Sequence, residues 1–173
     1  NQNVSKIFKF LKDIKIKKKD RIAAYMPNTI ETVEAFGASI SLGAIWSSCS
    51  PDFGTKGVIE RFSQINPKVL FVMDEYFYNG KRINILERVP EIIRNIPSIK
   101  YLVICNYPGQ KNIKKNLNLK IKIVYWSDLL KNKSSNITFS KFDFEHELVI
   151  LFSSGTTGKP KCICHRNGGV LLQ

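Results

Sequence analysis

Long apolar runs are absent from this sequence of 173 residues. No stretch approaches the roughly 18–20 apolar residues that a membrane span needs, and the first residues do not form a basic-then-apolar leader of the signal-peptide kind. These absences predict a protein that is not exported and has no membrane partner. The composition, 43% hydrophobic and 24% charged, is typical of a globular protein, and the length suffices for one compact domain.

Acidic residues are scarce, since 14 Asp and Glu stand against 27 Lys and Arg, for a formal net charge of +13. Clustered lysines raise the alternative of a nucleic-acid-binding module, because cations that neutralise phosphates release counterions. The lysines concentrate in Lys15–Asp20 and Lys111–Lys122. Neither segment interleaves aromatic residues as a surface for stacking bases would. We therefore favour a solvated surface and expect no nucleic-acid partner.

Cysteine is also rare, with four residues in the chain. Cys49 and Cys105 lie in or beside apolar runs, where a free thiol behaves as a small hydrophobe. The segment Cys162–His165, CICH, invites a metal interpretation. However, a one-residue cysteine spacing is not a usual zinc pattern, and no second ligand pair follows. The sequence therefore predicts no metal site, and reduced thiols in a cytoplasmic protein.

Strand-like and helix-like segments alternate along the first two thirds of the chain. Apolar residues at helical spacing predict helices over Val4–Ile14 and around Val58–Ile65. Strands are predicted over Arg21–Met26, Ala44–Cys49, Val69–Met73, Tyr101–Cys105, Ile121–Tyr125 and Leu148–Phe152. Of these, Val69–Met73 and Tyr101–Cys105 are continuous apolar runs, as expected for parallel strands covered on both faces. This alternation predicts an α/β fold with largely parallel sheets flanked by helices.

Three local features complete the expected fold. In the helix after the first strand, the spacing of Val33, Phe36 and Ile40 predicts a stripe that faces the core. A further helix is expected over Arg82–Asn95. His146 stands between two glutamates and is expected at the surface.

The strongest chemical signal is the segment Ser153–Lys161, SSGTTGKPK, which directly follows an apolar strand. Gly155 and Gly158 let backbone N–H groups approach an anion, and Lys159 and Lys161 supply positive charge. Hydroxyl donors come from Ser153, Ser154, Thr156 and Thr157. A loop at the carboxyl end of a strand is the usual ligand site of open α/β sheets. The segment therefore predicts a phosphate-binding loop.

This loop is not a Walker A motif, which has four residues between its glycines and then opens a helix. Only two residues separate Gly155 from Gly158, and the Pro160 and Cys162–Cys164 that follow predict a second strand. A flexible hairpin of small polar residues is the alternative, and the position after an apolar strand disfavours it.

The loop resembles the core signature of the adenylate-forming superfamily, which includes the acyl-CoA synthetases. Asp20–Asn28, DRIAAYMPN, is similar to a strand and turn of these enzymes. Leu42–Gly54, LGAIWSSCSPDFG, and Tyr78–Lys81, YNGK, resemble the acetoacetyl-CoA synthetase branch. The resemblance covers most of Asp20–Gln173. One departure is Cys162, where many members carry glycine.

The resemblance implies a ligase that works in two steps. The carboxylate of acetoacetate attacks the α-phosphate of MgATP, which gives an acyl-adenylate and pyrophosphate, and the thiol of coenzyme A then displaces AMP. Acetate, propionate and butyrate are the alternative acids. By this resemblance Thr156 and Lys161 are catalytic, and ATP is bound by Ser153, Ser154, Gly155, Thr156, Thr157, Gly158 and Lys161. Lys159 falls at a variable position of the signature and is expected to face solvent.

The resemblance also implies a domain organisation. Residues 1–173 correspond to an incomplete piece of the large N-terminal AMP-binding domain, and the small C-terminal domain is absent. The adenine-binding and ribose-binding segments would lie beyond Gln173. We therefore expect this chain alone to hold phosphate weakly and to turn nothing over.

Two segments keep alternative interpretations. Trp46–Gly54 either shapes substrate preference through Trp46, Ser48 or Cys49, or packs against a neighbouring element, and we favour packing. His165 either approaches the acyl pocket or lies at a strand end near solvent.

Overall fold

The computed structural model describes residues 2–107, 117–134, 136–154 and 158–173, and these residues form six helices and nine strands. The helices are α1 (Gln2–Asp13), α2 (Ile30–Ser41), α3 (Thr55–Ile65), α4 (Val89–Asn95), α5 (Trp126–Leu129) and α6 (Asn167–Leu171). The strands are β1 (Arg21–Tyr25), β2 (Ile45–Cys49), β3 (Val69–Met73), β4 (Glu75–Tyr78), β5 (Lys81–Asn84), β6 (Tyr101–Cys105), β7 (Lys122–Tyr125), β8 (Glu147–Ser153) and β9 (Lys161–Arg166).

Seven of these strands form one sheet in the order β7-β6-β3-β1-β2-β8-β9. Neighbouring strands are parallel except β8 and β9, which are antiparallel. β4 and β5 form a separate antiparallel hairpin. The predicted α/β class, with a largely parallel sheet flanked by helices, is confirmed.

Helices cover both faces of the sheet. The connection from β1 through α2 leads to β2 on one side of β1, whereas the connection from β2 through α3 leads to β3 on the other side. Because such crossovers are right-handed, α2 and α3 lie on opposite faces. α1 packs against α2 and α5, and α3 packs against α4. The result is three layers, with the sheet in the middle.

The core is built on β3, whose five residues are all buried. A row of aromatic rings crosses one face of the sheet. The Trp46 ring lies 5.8 Å from Phe36 of α2 and 6.2 Å from Phe71, and Phe71 lies 6.4 Å from Trp126 of α5. The two faces of a central parallel strand are both covered, which is why the VLFVM run shows no polar alternation.

The helix expected over Arg82–Asn95 is wrong in its first half. Lys81–Asn84 is a strand, and only Val89–Asn95 is helical. The cause is the turn between β4 and β5, where Asn79 has φ 48° and Gly80 has φ 71°. Two successive residues at positive φ make the tight turn that Asn-Gly favours, and this turn fixes a hairpin rather than a helix.

The expected core-facing stripe of α2 is also wrong at one position. Val33 is 67% exposed, whereas Phe36 and Ile40 are partly buried against the core. The buried residues of α2 are small: Ala35, Ala38, Ser39 and Ser41. Because α2 packs closely against both α1 and the sheet, close approach selects small side chains over the apolar stripe.

His146 is buried, with 4% of its surface exposed, so its expected surface position is wrong. Its Nε2 lies 3.1 Å from the carbonyl oxygen of Gly43. The ring stacks on Phe142 with 4.6 Å between ring centroids. The two neighbouring glutamates suggested a surface position, but of these three residues only His146 is buried.

The longest described helices, α1 and α2, have 12 residues each. None of the helices in the described part of the chain has the length and apolar character that crossing a membrane requires.

Candidate functional site

Strand β8 delivers the predicted phosphate-binding loop to the edge of the sheet where the parallel strands end. It lies beside β2, with Val149 opposite Trp46. The Ser47 hydroxyl donates to the carbonyl oxygen of Ile150 at 2.8 Å and ties the two strands together. Since β1, β2 and β8 are parallel, the loops that follow them share one edge, which is the usual ligand site of such sheets.

The loop closes a hairpin between β8 and β9. Ser153 is paired with Lys161 across the two strands, so the first and last residues of the predicted motif are neighbours. Gly158 has φ +117°, a conformation that side-chain-bearing residues rarely adopt. The second strand predicted after Pro160 is confirmed. A Walker A geometry is excluded, because the loop is followed directly by strand β9 and not by a helix.

The charged groups of the loop are accessible. Lys159 and Lys161 are exposed, as are Ser154 and Gly158, while Ser153 is partly buried. Neither lysine takes part in an ion pair between described residues. The loop therefore presents two cations that are free to meet an anion.

Three predicted site residues, Gly155, Thr156 and Thr157, lie outside the described residues. Their assignment to ATP binding, and that of Thr156 to catalysis, stays a prediction. The roles of the described loop residues stay predictions too. For those residues the structure gives position and exposure.

Helix α3 is fastened to the carboxyl end of the loop through Gln64. Its Nε2 donates to the carbonyl oxygen of Pro160 at 3.0 Å and to that of Glu60 at 2.8 Å. Its Oε1 faces the Sγ of Cys162 at 3.5 Å. Nothing in the local sequence identifies Gln64 as a site residue, because its partners in the hairpin, Pro160 and Cys162, lie almost 100 residues away along the chain.

The turn after β2 is hydrogen-bonded to a buried tyrosine of β1, Tyr25. The Tyr25 hydroxyl donates to the carbonyl oxygen of Phe53 at 2.5 Å and accepts from Arg88 Nη1 at 2.6 Å. The same guanidinium nitrogen donates to the carbonyl oxygen of Pro51 at 3.0 Å. Burial raises the pKa of Tyr25 above its ordinary value, so the phenol keeps its proton for this bond. These contacts fix the backbone beside the loop.

A pocket of about 300 Å³ opens at the carboxyl ends of β1 and β2. Its polar lining comes from both strand ends, from helix α2 and from the β4–β5 hairpin: Asn28, Thr32, Ser48, Ser50, Asp52, Tyr76 and Tyr78. Burial, and then a hydrogen bond to Asp52, raise the pKa of Tyr76. The hairpin that lines this side of the pocket was not predicted from the sequence, although an Asn-Gly pair such as Asn79-Gly80 favours a hairpin turn.

Trp46 is buried, in agreement with packing. Cys49 is buried as well but lines the pocket together with the exposed Ser48. Burial raises the pKa of the Cys49 thiol to about 12, so this sulfur is protonated and unreactive near neutral pH. His165 is partly buried on β9, opposite Val149.

The described cysteines are all free. Cys49 and Cys105 are buried, and Cys162 and Cys164 are exposed on β9. Within the described ranges, no group of three or more His, Cys, Asp or Glu side chains is placed to hold a metal ion.

The sequence of this chain is similar to known proteins. A family model described as AMP-binding enzyme matches residues 1–173. The chain is 40% identical to acetoacetyl-CoA synthetase of Macaca fascicularis over 176 residues, which is 99% of this chain and 26% of the relative. It is 43% identical to acetoacetyl-coenzyme A synthetase of Rhizobium meliloti over 159 residues, 89% of this chain and 23% of the relative.

A solved structure agrees with these sequences. Acetoacetyl-CoA synthetase from Streptomyces lividans superposes with a TM-score of 0.88 at 32% identity, covering 99% of this chain and 25% of that chain. The chain thus spans about a quarter of the length of the relatives it matches. Because the family model matches from the first residue to the last, the chain belongs to the AMP-binding enzyme family.

Proposed function

We propose that the protein to which this chain belongs is an ATP-dependent acetoacetate–CoA ligase. The observation that carries the proposal is the hairpin loop Ser153–Lys161, with exposed lysines, at the carboxyl end of a parallel strand. The relatives named acetoacetyl-CoA synthetase support the choice of acid and of coenzyme A as substrates. In this proposal residues 1–173 form part of an N-terminal AMP-binding domain, in keeping with their match to a quarter of those relatives.

In the proposed first step, a carboxylate oxygen of acetoacetate attacks the α-phosphorus of MgATP. The bond from that phosphorus to the bridging oxygen breaks, and pyrophosphate leaves with its electron pair. The loop hydroxyls and backbone N–H groups bind the phosphates, and Lys161 neutralises charge that grows on the leaving group. Such preorganised charges act most strongly on the transition state.

In the proposed second step, the thiolate of coenzyme A attacks the acyl carbon of the adenylate, and AMP leaves. The phosphate-binding loop has no part in this step, because pyrophosphate has already left. The cytoplasm, where ATP and coenzyme A are both available, is the proposed location.

The test is pyrophosphate release by the full-length protein, with acetoacetate compared with acetate, propionate and butyrate. A clear preference for acetoacetate in kcat/KM is expected. Preference for another acid would contradict the proposed substrate, and no release with any acid would contradict the ligase itself.

Lys161→Met provides the matching site test, with Lys159→Met as its control. Removal of the Lys161 charge is expected to lower the rate of adenylate formation on the order of 100-fold. Lys159, which is equally exposed but at a variable position of the signature, should change that rate less than about threefold. Equal effects of the two substitutions would contradict the role assigned to Lys161.

A further inference from the structure

The two residues that flank Lys161 are bound to a single side chain of helix α3. The carbonyl oxygen of Pro160 accepts from Gln64 Nε2 at 3.0 Å, and the thiol of Cys162 donates to Gln64 Oε1 at 3.5 Å. The backbone on both sides of Lys161 is thereby linked to the same amide group.

The orientation of this amide follows from its partners. Nε2 carries two hydrogens, and two carbonyl oxygens lie within reach, those of Pro160 and Glu60. Rotating the amide by half a turn would bring Oε1 against both carbonyl oxygens and leave its hydrogens without them. In the observed orientation every polar atom of the Gln64 amide has a complementary partner.

We propose that Gln64 is a positioning residue, which sets the direction of Lys161 in the phosphate-binding loop by clamping Pro160 and Cys162 to helix α3. This inference rests on the proposed function and deepens it. On its other side Lys161 is paired with Ser153 of β8, so the clamp fixes the lysine between a strand and a helix. A displacement of about 1 Å in such a group costs catalysis heavily.

Cys162 completes the clamp. Partial desolvation raises the pKa of its thiol above the ordinary value, so the sulfur keeps its proton near neutral pH and donates it to Gln64. A glycine at this position would have no side-chain donor. The cysteine therefore adds a contact that a glycine would not make.

The experiment compares Gln64→Met with Ser63→Ala in the full-length protein. Methionine has a similar length and no charge, but it removes all three hydrogen bonds, while Ser63 is an exposed neighbour on the same helix. Gln64→Met is expected to lower kcat/KM for ATP in adenylate formation about tenfold. The reaction of preformed acyl-adenylate with coenzyme A, and the melting temperature, should stay within the range of Ser63→Ala.

A second pair of variants tests the thiol. Cys162→Ser keeps a donor and should stay within about twofold of the wild type, whereas Cys162→Ala loses it and should lower kcat/KM for ATP at least threefold. If Gln64→Met and Ser63→Ala have the same kcat/KM for ATP, or if Gln64→Met slows both half-reactions equally, the positioning role is wrong. A wild-type protein that releases no pyrophosphate with any acid would overturn the proposed function instead.

Discussion

At the scale of single residues, several positions depend on one neighbour far away in the chain. Gly43 follows α2 with φ +72°, as expected for a glycine that ends a helix. The space that a side chain would need there is filled by the ring of Phe142. Phe142 in turn stacks on His146, so one glycine sets the packing of the segment that leads into β8.

Gly43→Ala is expected to lower the free energy of unfolding by about 2–3 kcal/mol. The left-handed backbone alone costs about 1–2 kcal/mol for alanine, and the new methyl group overlaps Phe142. Chemical denaturation measures the loss. In a double-mutant cycle, Phe142→Ala should recover part of it, with a coupling of about 1 kcal/mol. Strict additivity of the two substitutions would show that the ring does not limit the site.

The ion pair between Lys19 and Glu147 predicts a pH dependence. Their charged atoms lie 3.0 Å apart, and the hydrogen bond from Lys19 holds the pKa of Glu147 below its usual value. A carboxyl group with a lowered pKa stabilises the fold above its unfolded-state pKa, and this contribution disappears as the pH falls through the folded-state pKa.

Lys19→Met should therefore lower the free energy of unfolding by less than about 1 kcal/mol at pH 7, because the pair is partly exposed. The difference from the wild type should vanish as the pH falls through the lowered folded-state pKa of Glu147. Denaturation curves of both proteins across this range test it, with Lys12→Met, an exposed substitution on α1, as the control. A difference that grows toward acid pH would have the wrong sign for this pair.

At the scale of secondary structure elements, the hairpin β4–β5 supplies one wall of the pocket beside the loop. Its turn rests on Asn79 and Gly80, both at positive φ. The hairpin carries the buried Glu75, which pairs with Arg82 of the opposite strand. The direction of these side chains thus depends on two turn residues.

Gly80→Ala is expected to lower the free energy of unfolding by about 1 kcal/mol, because alanine disfavours positive φ. Gly169→Ala is the matched control. A methyl group meets nothing within 4 Å at either glycine, but Gly169 lies in helix α6 without a positive φ. The control should be neutral or slightly stabilising. Equal losses at both positions would show that backbone conformation does not decide the effect.

How far the elements could be predicted depends on whether their signal is local. The continuous run Val69–Met73 and the helical spacing through Val58 and Phe62 placed β3 and α3 correctly. The stripe on α2 failed at Val33, because the face that α1 covers is set by tertiary packing rather than by hydrophobicity. The expected helix failed at Arg82–Asn84, because the Asn79-Gly80 turn that precedes these residues pairs them with β4 in a hairpin.

The residues of the candidate site also differ in whether their sequence signal is local. Ser153–Lys161 stands out because glycines, hydroxyls and lysines are adjacent in the sequence after an apolar strand. Gln64 does not, since its contact with Pro160 exists only once α3 and the β8–β9 hairpin have come together. The roles of Arg88 and Tyr25 could not be predicted either, because they bind backbone carbonyl groups that no sequence pattern marks.

At the scale of the whole molecule, 27 Lys and Arg stand against 14 Asp and Glu, for a formal net charge of +13. Some lysines are engaged within the protein. Lys18 lies over the ring of Phe142 at 5.4 Å, and Lys68 pairs with Asp20 at 2.7 Å. These two lysines thus contact groups of the protein itself.

Lys120→Gln combined with Lys122→Gln should leave kcat/KM for ATP within about twofold. These residues precede or begin β7, five strands away from β8 and at the opposite edge from the loop. Five strand spacings amount to about 24 Å, well beyond the Debye length of about 8 Å at physiological ionic strength. Steady-state kinetics at that ionic strength measures the effect, and a loss comparable to that of Lys161→Met would show that remote charge drives ATP capture.

The place of β8 in the sheet has a consequence for folding during synthesis. The bond from Ser47 to Ile150 spans 103 residues, whereas β7, β6, β3, β1 and β2 are all complete before β8 is made. Until β8 leaves the ribosome, β2 is an edge strand with unpaired backbone groups. Such an edge is a template for pairing with other chains, and long-range pairing of this kind is slow. A nascent form of this chain therefore exposes this aggregation-prone edge from the completion of β2 until it acquires β8 and the loop that follows β8.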